Sequence, residues 1–288
     1  MTSFVPLGHE PAPWPEDLPP RLSATQITML ERCPEQYRQR YILGNKEAPG
    51  AALILGKADT NAVAAHLTKY MHDEVGLTHN EIAERFAVEY DQAVDEAGGL
   101  TEIKWRNDGP VALAGAKAMA GKDKDTGTKL VTLYRKMVAP QYQHELEGVE
   151  QEITIENPAW QVPIIGYLDV ETSQDIIERK TAGRKNSSPQ GAWIMQARIY
   201  QLAIPKPLWW HQSVKAKEPF VVGNDPEMMS PVDNLMRVRT VRTVQMAQAN
   251  LVNLYSTYGP DESWDGALTH PWACGFCGFR ANCWWWGN

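Results

Sequence analysis

No run of about eighteen consecutive apolar residues occurs in the 288-residue chain, so no membrane-spanning helix is expected. The first twenty residues lack a basic segment leading into an apolar stretch, so no secretory signal is read there and the expected location is the cytoplasm. An excess of positive charge is also missing: 28 lysines and arginines face 35 acidic residues, for a formal net charge of −7. A protein that coats nucleic acid by neutralising phosphates is normally basic, so the charge argues against a passive, tight, non-specific binder. An enzyme whose bound metal supplies local positive charge is not. Cysteine is scarce too. Cys33 stands alone, while Cys274, Cys277 and Cys283 crowd near the end. Without a secretory signal this is a poor disulfide framework and a better metal-ligand set. Internal repeats and low-complexity tracts are absent.

What is present changes character along the chain. Residues 1–20 are proline-rich and read as an extended lead-in. Residues 21–288 read as one domain in three parts: 21–147 mainly helical, 148–222 an active-site sheet and helix, 232–288 a helix and a Cys- and Trp-rich tail. In 21–45, Ser23 or Thr25 can cap a helix whose buried side is Ile27, Leu30 and Tyr37, with a restart at Pro34. Further on, Ile82, Phe86, Val88, Tyr90 and Val94 make an apolar helical stripe. Breaks are expected near Gly76, Gly98, residues 107–110 and residues 122–127, where KDKDTGTK reads as a solvated loop. GVEQEITIE, VPIIGYLDVE and DIIERKTA read as strands, followed by a helix over SPQGAWIMQARIYQLAI, two strand candidates and a last helix over 232–255. The order predicts a mixed α/β domain with a small central sheet.

The sharpest chemical signal is GYLDVETSQDIIERKTAG. Asp169 lies near the end of one strand; Glu178 and Lys180 lie two apart on the next and so share a face. Two carboxylates and a lysine then meet. Carboxylate oxygens suit magnesium or manganese, and a lysine beside them can orient a water or steady developing charge. A solvated hairpin with a surface ion pair is the competing reading. The apolar residues leading into each charge, Ile164 to Leu168 and Ile176 with Ile177, weigh against it. On the helix that follows, Gln196 and Tyr200 sit one turn apart and share a face. Arg184, Lys185 and Arg198 are candidates for backbone contacts or for solvated surface. Arg239 and Arg242, with Arg237, read mostly as a solvated face.

The hairpin, with Gly166-Tyr167-Leu168-Asp169 and Glu178-Arg179-Lys180-Thr181, resembles the RecB-type motif of the PD-(D/E)XK nuclease superfamily, and Gln196 with Tyr200 is similar to its Q-x-x-x-Y motif. The resemblance spans about residues 21–283. It implies a restriction-endonuclease-like core with a small mixed sheet. Asp169 and Glu178 would be Mg2+ or Mn2+ ligands, Lys180 would orient the nucleophile, and Gln196, Tyr200 and Arg184 would contact substrate. The spacing C-x2-C-x5-C after a remote Cys33-Pro34-x2-Tyr37 resembles the iron–sulfur branch, which includes CRISPR-associated exonucleases and the AddB nuclease domain. There four cysteines hold a [4Fe–4S] cluster that ties the chain ends together. Zinc is the alternative occupant.

The implied activity is a deoxyribonuclease, an exonuclease on single strands or DNA ends. The implied setting is bacterial or phage-encoded recombination, repair or CRISPR adaptation, with a homo-oligomer or a protein of those pathways as partner. One departure stands out. Relatives carry a histidine in G-x-x-x-H, but here Gly56 leads to Thr60. His66 falls elsewhere on the helix, at about 100° per residue, and reads as a surface or packing residue. Asp59 and Asn61 are neighbours of different direction. This keeps a rival open: a catalytically weak or inactive DNA-binding protein on the same fold. A zinc-stabilised protein unrelated to nucleases is a second.

Overall fold

The computed structural model describes residues 13–105, 111–266, 274, 277–279 and 283. The expected break at 107–110 and the tryptophans at 284–286 lie outside them.

The chain enters along a short strand, β1 (Leu22–Ser23), and turns into α1 (Ala24–Arg32). The turn is a capping box: Gln26 donates its N–H to Ser23 Oγ at 3.2 Å, and Ser23 donates its N–H to Gln26 Oε1 at 2.8 Å. Cys33 ends α1 and caps α2 (Pro34–Tyr37), its Sγ accepting the Gln36 N–H at 3.4 Å. A π-helical turn over Arg38–Ile42 follows. The expected burial of Ile27, Leu30 and Tyr37 is observed.

Three long helices come next: α3 (Ala51–Asp73), α4 (His79–Glu96) and α5 (Leu113–Met137). Two expectations fail here. The KDKDTGTK segment is not a loop but the middle of α5. Its charges point outward, as with Lys124 paired to Asp91, while Ala116, Ala120, Gly127, Leu130 and Tyr134 keep a buried stripe. Gly127 is needed because the Phe86 ring lies where a Cβ would be, 1.9 Å from Cζ. Val88 was expected on the buried stripe of α4 but is 57% exposed. Its neighbour Glu89 is buried instead, held by Asn61 and Arg85.

The remaining elements are β2 (Leu146–Ile155), β3 (Ile164–Thr172), β4 (Ile176–Ala182), α6 (Gly191–Ala203), β5 (Leu208–Val214), β6 (Phe220–Val222), β7 (Met229–Ser230) and α7 (Asn234–Tyr258). They form one mixed sheet, ordered β1-β3-β4-β5-β6, with β2 on β3 and β7 on β5. Helices α1, α6 and α7 supply the core on one face, with Leu168, Ile176 and Trp210. Helices α3, α4 and α5 supply the other, with Val170 and Ile177. The fold is the expected α/β type, with a helical N-terminal part and a mixed central sheet. No helix among the described residues is long and apolar enough to cross a membrane.

The pairing of β3 creates a fork. One edge carries β2 along most of its length. The opposite edge carries β1 at Ile164 and Ile165, and β4 only at Val170 and Glu171. From Gly166 to Asp169 that edge has no ladder partner among the described strands. β4 continues alongside β5 through Ala182.

Candidate active site

Asp169 sits at the mouth of the fork. Register would set it opposite Glu178, but the β3–β4 ladder has ended, and its Oδ2 accepts the Arg179 backbone N–H at 2.6 Å. A side chain thus takes the amide that a strand carbonyl would otherwise take, which holds the carboxylate against β4.

Alternation along β4 sends its residues to two sides. Glu178 and Lys180 face α6. Lys180 Nζ donates to Glu178 Oε2 at 3.0 Å and to Gln196 Oε1 at 3.2 Å. Gln196 Nε2 donates to the same Glu178 oxygen at 3.0 Å and lies 3.0 Å from the Tyr200 hydroxyl. Tyr200 reaches this place only because residue 166 is glycine: a Cβ there would come within 2.4 Å of Tyr200 Cε1. Asp169, Glu178, Lys180, Gln196 and Tyr200, from two strands and a helix, are therefore brought together. Arg184 is exposed beyond β4, Lys185 is paired with Asp225 at 2.7 Å, and Arg198 is half-buried. Beside Lys180 and Gln196 opens a cleft of about 710 Å³, lined by Thr25, Thr28 and Arg32 of α1 and by Trp193 at the start of α6.

Arg179 projects the other way, and its role was not foreseen. Its Nη2 donates to Asp59 Oδ2 at 2.8 Å and its Nη1 to the Asp59 carbonyl at 2.9 Å, while its guanidinium lies 4.2 Å from the centre of the Tyr134 ring. Thr181 and Ser213 hydroxyls also donate to Asp59 Oδ2. Asp59 is thus committed behind the sheet, and Asn61 is committed to Glu89. His66 is a packing residue, buried, with Nδ1 accepting the Leu77 N–H at 2.9 Å. A buried arginine needs a buried anion. That signal was available in the alternation of Glu178, Arg179 and Lys180, but the choice of partner was not.

The electrostatics on the α6 side are unbalanced. Burial raises the Asp169 carboxyl above its ordinary range, against Lys180. Burial and then the Asp169 charge push Glu178 up to about 8. Burial opposes the Lys180 ammonium, but Glu178 and Asp169 outweigh it and hold its pKa above the ordinary value. Glu178 is 1% exposed, yet its Oε1 has no hydrogen-bond partner. A third carboxylate stands near. Glu150 of β2 lies between the pairs Val149↔Val170 and Gln151↔Leu168. Its side chain reaches the surface, but desolvation and the Asp169 charge push its carboxyl up to about 7. Sequence reading missed it within an ordinary alternating strand.

These residues fit a hard divalent cation. An unpartnered buried carboxylate oxygen and two carboxyls raised by burial, with like charge adding to Glu178, are what such an ion relieves. Among the described residues no group of three or more His, Cys, Asp or Glu side chains is disposed to hold a metal. A magnesium site drawing on two carboxylates and water is compatible with that, since this ion keeps much of its hydration.

The cysteines are all free. Cys33 is buried, its thiol pushed up to about 11 by burial, then by the charges of Cys277, Cys283 and Cys274. Cys274, Cys277 and Cys283 therefore lie near Cys33 at the α1–α2 corner. Glu35 ties the chain after α7 to the same corner: its N–H donates to the Asp265 carbonyl at 3.0 Å, and its Oε2 accepts the Trp264 N–H at 2.8 Å.

No curated protein matches the chain. Among solved structures, one titled as a candidate exonuclease from Eubacterium rectale is similar at 12% identity and a TM-score of 0.47, covering 85% of this chain and 84% of that one. Another, SSO0001, is similar at 16% identity and a TM-score of 0.34, covering 76% and 94%. The profile of one family matches residues 21–284, from β1 through the fork to the cysteine-bearing tail. The chain belongs to the PD-(D/E)XK nuclease superfamily.

Proposed function

We propose that the protein hydrolyses DNA phosphodiester bonds at the fork with Mg2+ or Mn2+, working as an exonuclease on single strands or ends. The observation that carries this reading is the unpartnered, buried Oε1 of Glu178 beside Asp169 and Lys180. Asp169 and Glu178 would hold the cation. When bound, it polarises the scissile phosphate and lowers the pKa of water to give a nucleophile. Lys180, kept as an ammonium by its two acidic neighbours, is a donor and not a base; it orients the attacking water and steadies charge on the phosphate. Gln196 ties Glu178 to Tyr200 and holds the row in register, and the two present polar groups to a phosphate. Arg184, exposed beyond the strand, adds a backbone contact. The α1–α6 cleft leads to Lys180 and is the natural track for a strand end.

The four cysteines are proposed to hold a [4Fe–4S] cluster that joins the chain ends. Supporting this are the four free thiols and the C-x2-C-x5-C spacing, although among the described residues the cysteines are not disposed as a metal-ligand group. Iron and sulfide analysis of anaerobically purified protein tests it; zinc without iron refutes it. Recombination, repair or CRISPR adaptation is the setting that suits such an enzyme, with a partner from those pathways or a second copy of the chain.

The activity is tested on end-labelled single-stranded DNA with Mg2+ or Mn2+. Nucleotide release that stops with chelator and falls at least about a hundredfold in Lys180→Ala supports the reading. Intact protein that binds DNA in the presence of metal but releases nothing refutes it and favours the non-catalytic alternative, with Thr60 the first suspect.

A further inference from the structure

We propose that the cleft between α1 and α6 selects an unpaired strand end, with Trp193 stacking on a base and Arg32 holding a phosphate on the way to Lys180. The inference rests on the reading above for DNA as the ligand, and it names the residues that make that substrate single-stranded.

Three observations carry it. The first is the disposition of the two helices. Thr25, Thr28 and Arg32 recur at helical spacing on α1 and so share a face, and Trp193 lies one turn before Gln196 on α6. These rows wall the cleft of about 710 Å³ that Lys180 also lines. Sites of about 300–1,000 Å³ suit one ligand-sized group. The second observation is an unanswered cation. Arg32 Nη2 donates to Gln36 Oε1 at 2.6 Å, and Gln36 is itself held by Glu47 at 3.2 Å and by Cys33 Sγ. Arg38, Arg179 and Lys180 each have a carboxylate partner; Arg32 has none among the described residues. A tethered guanidinium without an anion is suited to a phosphate. The third is an unspent indole. Trp14, Trp105 and Trp209, half-buried like Trp193, donate their N–H to Pro19, Leu100 and Asp175. Trp193 makes no such bond among the described residues. It packs against the core shared by α1, α6 and α7, and it lines the cleft. An indole held by packing and open to a cleft is a platform for a base.

Stacking discriminates strandedness. In a duplex the faces of each base are covered by its neighbours, whereas an unpaired end can turn a base onto the indole. The phosphate contact fixes the backbone and reads no sequence, so the two together hold an end of any sequence. Glu31 lies on the same lining; desolvation raises its carboxyl above the ordinary range, which weakens its repulsion of a phosphate.

The test is fluorescence anisotropy in Ca2+ with three labelled oligonucleotides: a single strand, its blunt duplex, and the same single strand with abasic residues at both ends. Wild type should bind the single strand at least about fivefold tighter than either of the others. Trp193→Ala should weaken the single strand by at least about fivefold and leave the abasic strand unchanged, while Trp193→Phe should keep most of the affinity. Arg32→Gln should weaken all three by a similar factor and flatten their salt dependence. A Trp193→Ala variant that loses native and abasic strands equally shows a structural role and overturns the inference. So does a Trp193→Ala loss within about twofold, or a wild type that favours the duplex. Arg32→Gln binding as wild type overturns the phosphate contact. Wild type that shows the expected pattern but releases no nucleotide in Mg2+ or Mn2+ upholds the cleft and overturns the activity proposed above. Wild type that binds none of the three overturns both.

Discussion

Replacing Arg179 with methionine should destabilise the fold severely while leaving Asp169, Glu178 and Lys180 in place. The guanidinium is nearly sealed, with Arg179 5% exposed and its partner Asp59 1% exposed. Methionine keeps much of the apolar stem but removes both hydrogen bonds to Asp59 and the stacking on Tyr134. Asp59 then retains only the Thr181 and Ser213 hydroxyls, and its Oδ1 is already unpartnered. A buried charge stranded in this way costs about 3–5 kcal/mol. For a chain of this size each kcal/mol lowers Tm by about 2–4 °C, so the expected fall is about 6–20 °C. Asp59→Asn in the Arg179→Met background removes the stranded charge and should restore part of the loss, giving a coupling of up to about 3 kcal/mol. Urea unfolding by far-ultraviolet circular dichroism on wild type, both single variants and the double variant measures this cycle. The Arg179 amide that holds Asp169 belongs to the backbone, so Arg179→Met should still bind Mn2+ well below its Tm. A loss under about 1 kcal/mol, or losses that simply add, refutes the account of the pair.

Gly166→Ala puts a methyl 2.4 Å from Tyr200 Cε1 and should cost about 1–3 kcal/mol by overpacking, with cleavage reduced at temperatures where the variant is fully folded; wild-type rates there would refute the placement of Tyr200. His211, buried between Tyr134 and Asn224, is held down to about 4, mainly by burial. Its folded value lies below the ordinary value of about 6.5, so its contribution is complete above that pH and is lost as pH falls toward 4, by about 2–3 kcal/mol at pH 4.5. Urea melts at pH 7 and 4.5 should show wild type losing that much more than His211→Gln; equal losses refute it.

Local patterns made much of this molecule legible. The capping residue Ser23, the buried Ile27, Leu30 and Tyr37, the hairpin strands and the helix bearing Gln196 and Tyr200 all follow from spacing within one element. What failed depended on contacts between elements. KDKDTGTK looks like a loop by composition, but packing of Gly127 on Phe86 keeps α5 continuous. Val88 and Glu89 exchange their expected places because Asn61 and Arg85 satisfy the glutamate. In the site, the facing of Glu178 and Lys180 was readable because it needs only the alternation of one strand. The pairing of Asp59 with Arg179 was not, because it depends on a helix docking that joins distant parts of the chain.

The distribution of charge links these pieces. Behind the sheet Asp59 and Arg179 cancel, so that face is neutral and suited to burial. On the α6 face Lys180 answers only one of Asp169 and Glu178. One negative charge therefore remains uncompensated at the fork when both acids are ionised. Water cannot solvate them fully, which is why Glu178, sealed beside Asp169, is raised so far. The fold tolerates the imbalance because the two faces are held by separate cores and the Asp169 carboxylate is itself part of the strand pairing through the Arg179 amide. A divalent cation, as proposed, would more than offset that charge. On the proposed reading, a net charge of −7 would be no obstacle to binding a polyanion, since the positive charge that meets the phosphate would arrive with the ion.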